Sequence, residues 1–274
     1  MPADADDRHL KESIRQYWNA EACGERYALG STNDLRLRSQ REARYRLEPM
    51  IEGFALFDGT GKDVIEIGVG MGADHERWAK SHPASLIGVD ITPRAIEWTR
   101  NRLTKDGLVP ELLLADAERL PFPDSSFDLV YSWGVLHHTP DTEAALGEVH
   151  RILRTGGQAR LMIYHRRSIV GLLLWIRYGL FKGRPRRGID DIYARHLESP
   201  GTQAFDVAEA RRMLKDFSDV SIQVNLAIGD LLLGQVGIRH RGLMLRVASL
   251  IWPRWFLRRY LSRFGLEMLI VATK

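Results

Sequence analysis

A glycine-rich segment in the first third of the chain limits the folds available to it. Residues 64–72 read Val-Ile-Glu-Ile-Gly-Val-Gly-Met-Gly. The β-branched residues predict a short buried strand, and a helix is predicted to begin directly after the glycines. Glycines let the backbone turn sharply and approach a ligand that lies over a helix N-terminus. This order predicts a nucleotide-type site, although a tight glycine turn can also be purely structural.

The same alternation of strand and helix continues along the chain. Strands are predicted at residues 64–67, 85–89, 111–115, 127–132, 158–164, 220–226 and 266–272. Helices are predicted at residues 7–22, 35–57, 73–80, 141–153 and 206–215, with one more beginning at Thr92-Pro93. Short strands that alternate with helices are typical of a parallel sheet covered on both faces. The connection of about 40 residues before the last strand is too long for a plain loop and must carry helices of its own.

The composition is that of an ordinary soluble enzyme, with 45% hydrophobic and 27% charged residues among 274. The single cysteine, Cys23, excludes an internal disulfide and is expected to be a small buried residue. The N-terminus is acidic and lacks the apolar stretch of a signal peptide. The longest apolar run, residues 169–176, is far short of the ~20 residues that a spanning helix needs. The sequence therefore predicts a cytoplasmic protein.

Polar side chains follow three further strands of the predicted sheet. Asp90 closes the second strand, where a carboxylate can accept hydrogen bonds from a ribose diol. Asp116 follows the third strand, where a carboxylate can meet an adenine amino group. Ser132 and Trp133 end the fourth strand. Because the carboxyl ends of parallel strands meet at one crevice, these residues and the glycine turn predict a single nucleotide site.

Together these segments resemble the class I S-adenosylmethionine-dependent methyltransferases. Residues 64–72 are similar to the first motif of that family. Residues 116–124 (Asp-Ala-Glu-Arg-Leu-Pro-Phe-Pro-Asp), 127–130, 135–138 and 148–157 resemble the subgroup that contains the ubiquinone and menaquinone C-methyltransferases. The resemblance covers roughly residues 62–164. It implies an α/β fold with a doubly wound, mostly parallel, seven-stranded Rossmann-like sheet, and S-adenosyl-L-methionine as the cofactor. It leaves the acceptor open, because the subgroup methylates carbon, oxygen, nitrogen and sulfur.

The resemblance also implies which residues contact the cofactor. The glycine turn would line the methionine portion, the second strand would bind the ribose and pack on adenine, and the third would hold the adenine amino group. The implied contacts are Glu66, Gly68, Gly70, Gly72, Asp90, Ile91, Asp116, Ala117, Ser132, Trp133 and His137. Asp74 departs from the small residues common in the family at its position. It is predicted either to cap the helix that begins there or to contact the cofactor's amino group.

Methyl transfer from a sulfonium requires alignment and exclusion of water, and a general base only where the acceptor loses a proton. Histidine is the natural base near neutral pH. His138 and His165, beyond the fourth and fifth strands, are the predicted bases. The alternative is that they cap helices or satisfy loop carbonyls. No metal site is predicted, because the spacing of His137, His138, His165 and His196 is not characteristic of one.

Three regions are predicted. Residues 1–60 form an N-terminal helical lid, residues 61–165 the cofactor-binding core, and residues 166–274 the rest of the sheet with helical caps. The aromatic residues Tyr17, Trp18 and Tyr27 are expected to belong to the lid, or else to pack simply against the core.

Residues 166–187 and 231–264 are apolar, aromatic and basic. Ten Arg or Lys and no acid lie between Glu148 and Asp190, and seven Arg and no acid lie between Asp230 and Glu267. This pattern fits helices that lie peripherally on an anionic membrane. It also fits an apolar acceptor pocket with a basic rim for a phosphate or carboxylate, or a helical cap with a solvated Arg face. Nucleic acid is not favoured, because no binding motif is present.

The sequence thus predicts an S-adenosylmethionine-dependent methyltransferase that acts on a small, lipophilic or amphipathic acceptor. A regulatory protein that binds S-adenosylmethionine without turning it over is an alternative. An NAD-dependent reductase is less favoured, because Gly-x-Gly-x-Gly lacks the final spacing of Gly-x-Gly-x-x-Gly. The sequence does not indicate an oligomeric state.

Overall fold

A computed structural model describes residues 3–233 and 250–274, so part of the predicted insertion at 231–264 lies outside the described residues. Within them, one sheet contains the strands β1 (Asp63–Ile67), β2 (Ser85–Asp90), β3 (Glu111–Leu114), β4 (Phe127–Trp133), β5 (Leu153–Tyr164), β6 (Asp219–Asn225) and β7 (Glu267–Thr273). Their order is β3-β2-β1-β4-β5-β7-β6. Only β7 runs antiparallel to its neighbours, β5 and β6. The predicted doubly wound, mostly parallel seven-stranded fold is confirmed.

Helices cover both faces of the sheet and one of its edges. The first three precede the sheet: α1 (Ala3–Ala20), α2 (Asn33–Leu47) and α3 (Met50–Ala55). The connecting helices are α4 (Ala73–Ala79), α5 (Pro93–Lys105), α6 (Thr142–Ile152) and α9 (Val207–Met213). Three more are α7 (Ile169–Tyr178), α8 (Ile189–His196) and, in the described part of the insertion, α10 (Arg254–Tyr260). No helix in the described ranges is long and apolar enough to cross a membrane.

Alternate residues of the central strands enter two cores. From β1, Ile65 and Ile67 pack with α6 and α9 in one core, whereas Val64 packs with α3 and with Trp78 of α4 in the other. Successive side chains of a strand point to opposite faces, so both faces of the sheet are buried. The cores hold the sheet rigid and leave the carboxyl ends of the strands free to form a site.

The prediction of a single helix at residues 35–57 is wrong in one respect, because the chain forms two helices there. α2 ends at Leu47 and α3 begins at Met50. Pro49 disfavours a helical conformation at the preceding Glu48, which adopts φ −122° and ψ 62°. The break turns α3 towards the sheet, where Ile51 and Ala55 are buried.

β5 begins earlier than predicted. The helix before it ends at Ile152, and Leu153 already pairs with Phe127 of β4. The two glycines at 156–157, which follow the predicted helix at residues 141–153, lie inside the strand. Gly156 takes φ 78°, and the register with β4 shifts before Leu129 pairs with Gln158. A glycine with positive φ therefore accommodates an irregularity in a strand here, rather than ending a helix.

Candidate active site

The loop between β1 and α4 holds its three glycines at positive φ: 84° at Gly68, 52° at Gly70 and 74° at Gly72. A Cβ on Gly68 would come within 2.1 Å of the Val135 side chain, and one on Gly72 within 2.8 Å of Thr99. A Cβ on Gly70 would meet nothing closer than 3.9 Å. Two glycines are therefore required by packing as well as by φ, whereas a Cβ on Gly70 would make only an ordinary contact with Cys23.

A cavity of about 120 Å³, called the first cavity below, lies above this loop at the carboxyl ends of β1 to β4. Most of the residues predicted to contact the cofactor line it: Glu66, Gly68, Gly70, Gly72, Asp90, Ile91, Asp116, Ala117 and Trp133. Two do not. Ser132 is buried and donates a hydrogen bond to the Ile67 carbonyl (3.0 Å), and His137 is fully buried with its ring 3.8 Å from that of Tyr164.

The Asp90 carboxylate is oriented by its own loop. Oδ1 accepts hydrogen bonds from the backbone N–H (2.9 Å) and hydroxyl (2.8 Å) of Thr92, and Oδ2 accepts one from the Gly70 N–H (3.2 Å). Burial nevertheless raises the pKa of Asp90, against the effect of these hydrogen bonds. Further donors, such as the two hydroxyls of a ribose, would stabilise its ionised form.

The other end of the first cavity is covered by α1. Lys11, Ile14 and Trp18 of that helix line the cavity. Lys11 Nζ lies 2.6 Å from Asp116 Oδ2 and 2.5 Å from Glu118 Oε2. Burial opposes the charge on Lys11, but these two hydrogen bonds raise its pKa. The predicted N-terminal lid therefore reaches the carboxylate that was expected to hold adenine.

Glu66 and His75 form a buried pair beneath the glycine loop, with Nδ1 of the histidine 3.0 Å from Oε2 of the carboxyl. Burial raises the pKa of Glu66 well above its usual range, and burial lowers the pKa of His75 to about 3. Both pKa shifts favour an uncharged Glu66–His75 pair. A cationic group in the first cavity would favour ionised Glu66, because an opposite charge nearby lowers a carboxyl pKa.

Asp74 does not cap α4, so that interpretation is wrong: the N-cap residue is Gly72 and no side chain caps the helix. The Asp74 carboxylate pairs with both ends of the Arg44 guanidinium, with Nε 2.8 Å from Oδ1. Hydroxyls of Tyr131 (2.7 Å) and Tyr45 (3.0 Å) also donate to it. Burial opposes its ionisation, but the Arg44 charge and these hydrogen bonds lower its pKa. This ion pair attaches α2 to the start of α4.

Of the two predicted bases, only His138 lines the first cavity. Its Nδ1 lies 2.9 Å from the Ser199 hydroxyl and 3.1 Å from that of Thr202. Its Nε2 lies 3.3 Å from Oε2 of Glu198. The Trp18 ring packs on it edge to face, with centroids 5.2 Å apart. His138 is thus held by hydrogen bonds at Nδ1, while Nε2 lies close to Glu198 without forming a hydrogen bond.

His165 lies outside the cavities described here, with Nδ1 3.1 Å from the Gly265 carbonyl, and burial lowers its pKa. His196 stacks on Tyr178 at 3.8 Å. Within residues 3–233 and 250–274, no three His, Cys, Asp or Glu side chains are placed to hold a metal ion. The structure therefore does not bring these histidines together.

A second cavity, of about 150 Å³, adjoins the first. The two share lining residues from the lid and the fourth strand: Trp18, Cys23, Gln40, Arg44, Trp133 and Gly134. Tyr27 of the predicted lid also lines the second cavity, whereas Tyr17 lines neither. The expectation that Cys23 is buried is wrong, because the residue is exposed and lines both cavities. The protein groups that surround these cavities nevertheless desolvate the thiol and raise its pKa to about 12, which keeps it protonated.

The wall of the second cavity is formed where β5 and β7 pair, at Tyr164 and Glu267. The Tyr164 hydroxyl donates to Glu198 Oε2 at 2.8 Å. Aliphatic side chains complete the wall: Leu47, Met162, Val170, Leu197, Ile228 and Leu266. The second cavity is therefore largely apolar, with carboxyl groups at defined places.

Sequence reasoning missed Lys11, Arg44 and Glu198. Lys11 could have been found, because it lies three and seven residues before Ile14 and Trp18 on the same face of an amphipathic helix. Arg44 and Glu198 carry no local signal. They reach the site only through tertiary contacts with Asp74 and His138.

Residues 65–161 match the family described as a methyltransferase domain. Over 122 residues the chain is 32% identical to a 27-O-demethylrifamycin SV methyltransferase of Amycolatopsis mediterranei, covering 44% of each protein. It is 36% identical over 115 residues to a fatty-acid O-methyltransferase of Mycolicibacterium smegmatis (42% of this chain, 41% of that protein). It is 38% identical over 101 residues to the phthiotriol/phenolphthiotriol dimycocerosates methyltransferase of Mycobacterium tuberculosis (36% and 37%). The matches span less than half of these relatives.

Solved structures are similar over nearly the whole chain. A chain from a complex of the Haloferax volcanii Trm112 methyltransferase activator with a methyltransferase has a TM-score of 0.60 at 18% identity, covering 95% of this chain and 97% of that one. The magnesium protoporphyrin IX methyltransferase of Synechocystis with bound SAH has a TM-score of 0.58 at 15% identity, covering 97% and 99%. At these identities the likeness extends to the fold, including the helices outside the core.

Proposed function

We propose that this protein is an S-adenosylmethionine-dependent methyltransferase that acts on a small, lipophilic or amphipathic acceptor, a proposal supported by the match of residues 65–161 to a methyltransferase domain. The observation that carries the proposal is the pair of adjoining cavities. The first has two carboxylates, Asp90 and Asp116, at neighbouring strand ends beside the glycine loop. The second has room for an acceptor and opens onto the first beside Trp133.

The first cavity fits the cofactor in its chemistry. Asp90 would accept hydrogen bonds from the ribose hydroxyls, and Ile91 would pack on adenine. Asp116 and the Ala117 backbone would hold the adenine amino group. Gly70, which lines the first cavity and has no side chain, would allow the methionine portion to approach the loop above Glu66. When bound, S-adenosylmethionine supplies an electrophilic methyl group on a sulfonium.

The chain's own groups would align the reactants and exclude water. Trp18 and Trp133 line both cavities, so they would flank the passage between donor and acceptor. Such alignment is a large part of catalysis in a simple displacement. His138 lies at this passage, with Glu198 close to its Nε2. This placement supports His138, rather than His165, as the histidine that assists proton removal. Residues 1–60 would act as the lid, 61–165 as the cofactor core and 166–274 as the acceptor side.

A lipophilic acceptor is supported by two observations. Apolar side chains form most of the second cavity. Two relatives are named for fatty-acid and phthiotriol substrates. The same cavity argues against a purely regulatory protein, which would need no second compartment beside the cofactor.

We also propose peripheral contact with an anionic membrane. α10 and the residues just before it expose Leu250, Ile251, Trp255 and Phe256. Arg258, Arg259 and Arg263 are exposed beside them. Arg near headgroups with Trp at the boundary is typical of interfacial helices. Co-sedimentation at low salt with phosphatidylglycerol vesicles tests this contact. Binding that is lost in W255S/F256S supports it, and no binding of the unaltered protein contradicts it.

The proposed activity is tested by calorimetry and by product formation. S-adenosylmethionine should bind, and S-adenosylhomocysteine should accumulate with at least one lipophilic acceptor in a panel. NAD should neither bind nor raise the melting temperature, because a ligand selective for the native state raises it. Binding without product across the panel would favour the regulatory alternative. Selective binding of NAD would favour a reductase.

A further inference from the structure

Two of the three carboxyl groups that line the second cavity, Glu198 and Glu267, differ in their surroundings. Glu198 accepts a hydrogen bond from Tyr164 and lies 3.3 Å from Nε2 of His138. Glu267 is 2% exposed, and its Oε2 has no hydrogen-bond partner in the described part of the chain. A buried polar oxygen without a partner costs free energy unless a ligand or water satisfies it. Glu267 thus marks a place where the polar end of a ligand is needed.

The Glu198–His138 contact crosses from one cavity to the other. His138 lines the first cavity and Glu198 lines the second, and their side chains meet beside Trp18. A methyl group that passes from the first cavity to the second must travel through this region. Glu198 is therefore placed to act on the atom that receives the methyl group, and His138 is placed to orient Glu198 and to share its proton.

Most charged groups that line the second cavity have an opposite charge nearby, and Arg26, whose Nη1 has no hydrogen-bond partner in the described part of the chain, acts on Glu198 through its charge. Arg44 pairs with Asp74 and with Glu48, at 3.2 Å. Burial opposes ionisation of Glu198, but its contacts with His138 and Tyr164 and the charge of Arg26 lower its pKa. Burial and the neighbouring Glu48 raise the pKa of Glu267, which favours the uncharged form of that carboxyl. The cavity is consequently suited to an uncharged polar group.

We propose that the second cavity binds an uncharged alcohol, with Glu267 hydrogen-bonded to its polar end and Glu198 accepting the proton of the hydroxyl that is methylated. This deepens the proposed function and rests on it. The hydroxyl oxygen forms a bond to the methyl carbon while the carbon–sulfur bond breaks and its electron pair stays on sulfur. The hydroxyl proton passes to the Glu198 carboxylate. The products are a methyl ether, S-adenosylhomocysteine and one proton, which returns to solvent.

Other acceptor groups suit the cavity less well. A carboxylate has no proton for Glu198 to take, and Glu48 and Glu198 would repel it although Arg26 and Arg44 line the same cavity. An ammonium group has no lone pair until it is deprotonated, and Arg26 and Arg44 would repel it although the two carboxyl groups line the same cavity. An alcohol needs a base at the transition state, and such a base contributes typically 10²–10⁴-fold to the rate.

Three probes of one chain length test the choice: decan-1-ol, decanoate and decylamine. Their binding to the full chain is measured by calorimetry at pH 7.5 with S-adenosylhomocysteine present. We expect decan-1-ol to bind at least about tenfold more tightly than the other two, because like charges and unpaired buried groups penalise them. Equal or tighter binding of decanoate or decylamine overturns the inference. So does absence of decan-1-ol binding in a protein that binds S-adenosylhomocysteine.

Variants then separate the two carboxyl groups. E198Q should lower kcat for decan-1-ol by at least about a hundredfold with little change in its affinity, and should remove the acid limb of the pH profile. E267L should weaken decan-1-ol binding by about fivefold with cofactor affinity unchanged. E143Q, at an exposed position on α6, is the control. An unchanged kcat in E198Q, or unchanged decan-1-ol affinity in E267L, contradicts the inference. If the unaltered protein did not bind S-adenosylmethionine, that result would contradict the proposed function itself.

Discussion

Lys11 of α1 lies 2.6 Å from the Asp116 carboxylate at the end of β3, so the N-terminal helix is tied to the edge of the first cavity. A second ion pair, from the same ammonium group to Glu118, strengthens the attachment. If residues 1–60 act as the proposed lid, charges as well as apolar packing hold them over the adenine end of the proposed cofactor site. We therefore expect this attachment to be sensitive to mutation and to salt.

The first prediction concerns the Lys11 contact. K11M should weaken S-adenosylmethionine binding by about threefold to fivefold at low salt, because partly exposed ion pairs contribute about 0.2–1 kcal/mol each. Calorimetry at 20 mM and 500 mM NaCl measures the difference in affinity between K11M and the unaltered protein, and this difference should be smaller at 500 mM. R15M is the matched control, since Arg15 lies on the same helix and pairs only with Glu12 in the hydrogen bonds described. Tighter binding by K11M would contradict a closing role for the contact.

A second prediction concerns the buried Arg44–Asp74 pair. R44M should lower the free energy of unfolding by about 3–5 kcal/mol, because it leaves a buried carboxylate without its counter-ion. R38M, on the same helix, breaks an exposed pair with Glu42 and should cost less than about 1 kcal/mol. Urea denaturation of both variants measures the difference. Equal losses would mean that the Arg44 pair has no special role.

The pH dependence of stability reports on Glu267. Because folding raises the pKa of this carboxyl, the folded chain holds a proton that the unfolded chain releases near pH 4.3. Stability contributed by this group is full below that pH and is lost as the pH rises through the folded pKa. The amide in E267Q does not titrate. As the pH rises from 5 to 8, the melting temperature of E267Q should therefore increase relative to that of the unaltered protein. A constant difference across that range would contradict a raised pKa.

The single cysteine provides a reporter for both cavities. Because the pKa of Cys23 is raised to about 12, its thiolate is scarce at pH 7.5. Iodoacetamide should therefore modify the folded chain at least about a hundredfold more slowly than the urea-unfolded chain, since the thiolate is the nucleophile. S-adenosylhomocysteine should slow the reaction further by filling the first cavity. Intact-mass measurements follow the single adduct, and equal rates in folded and unfolded protein would contradict the placement.

Much of the fold followed from local patterns, because β-branched runs, glycine turns and a proline at the start of α5 act over a few residues. Strand positions were close to those observed, and Asp90, Asp116 and the glycine loop were correctly brought to one cavity. The break at Pro49 was missed, although a pre-proline residue disfavours helix. The apolar and charged pattern of residues 33–57 continues across it and conceals the boundary.

The side-chain contacts that could not be predicted from the sequence depend on tertiary packing. His138 and His165 both follow strands, yet one lines the first cavity and the other faces the Gly265 carbonyl. Adjacent residues in a strand point to opposite sides, so Tyr164 enters the second cavity and His165 does not. Glu198 meets His138 only because the loop after α8 folds back onto the site. No local pattern encodes that contact.

The central claim is that Asp90 and Asp116 together hold the adenosine part of S-adenosylmethionine. Titration calorimetry of D90A/D116A measures this directly, with D124N/D219N, at exposed positions outside both cavities, as the control and melting curves to verify folding. Hydrogen bonds to charged groups contribute about 1.5–3 kcal/mol each, so affinity should fall by at least about a hundredfold in the first variant and stay unchanged in the second. A folded D90A/D116A protein that binds S-adenosylmethionine as tightly as the unaltered chain would contradict the account.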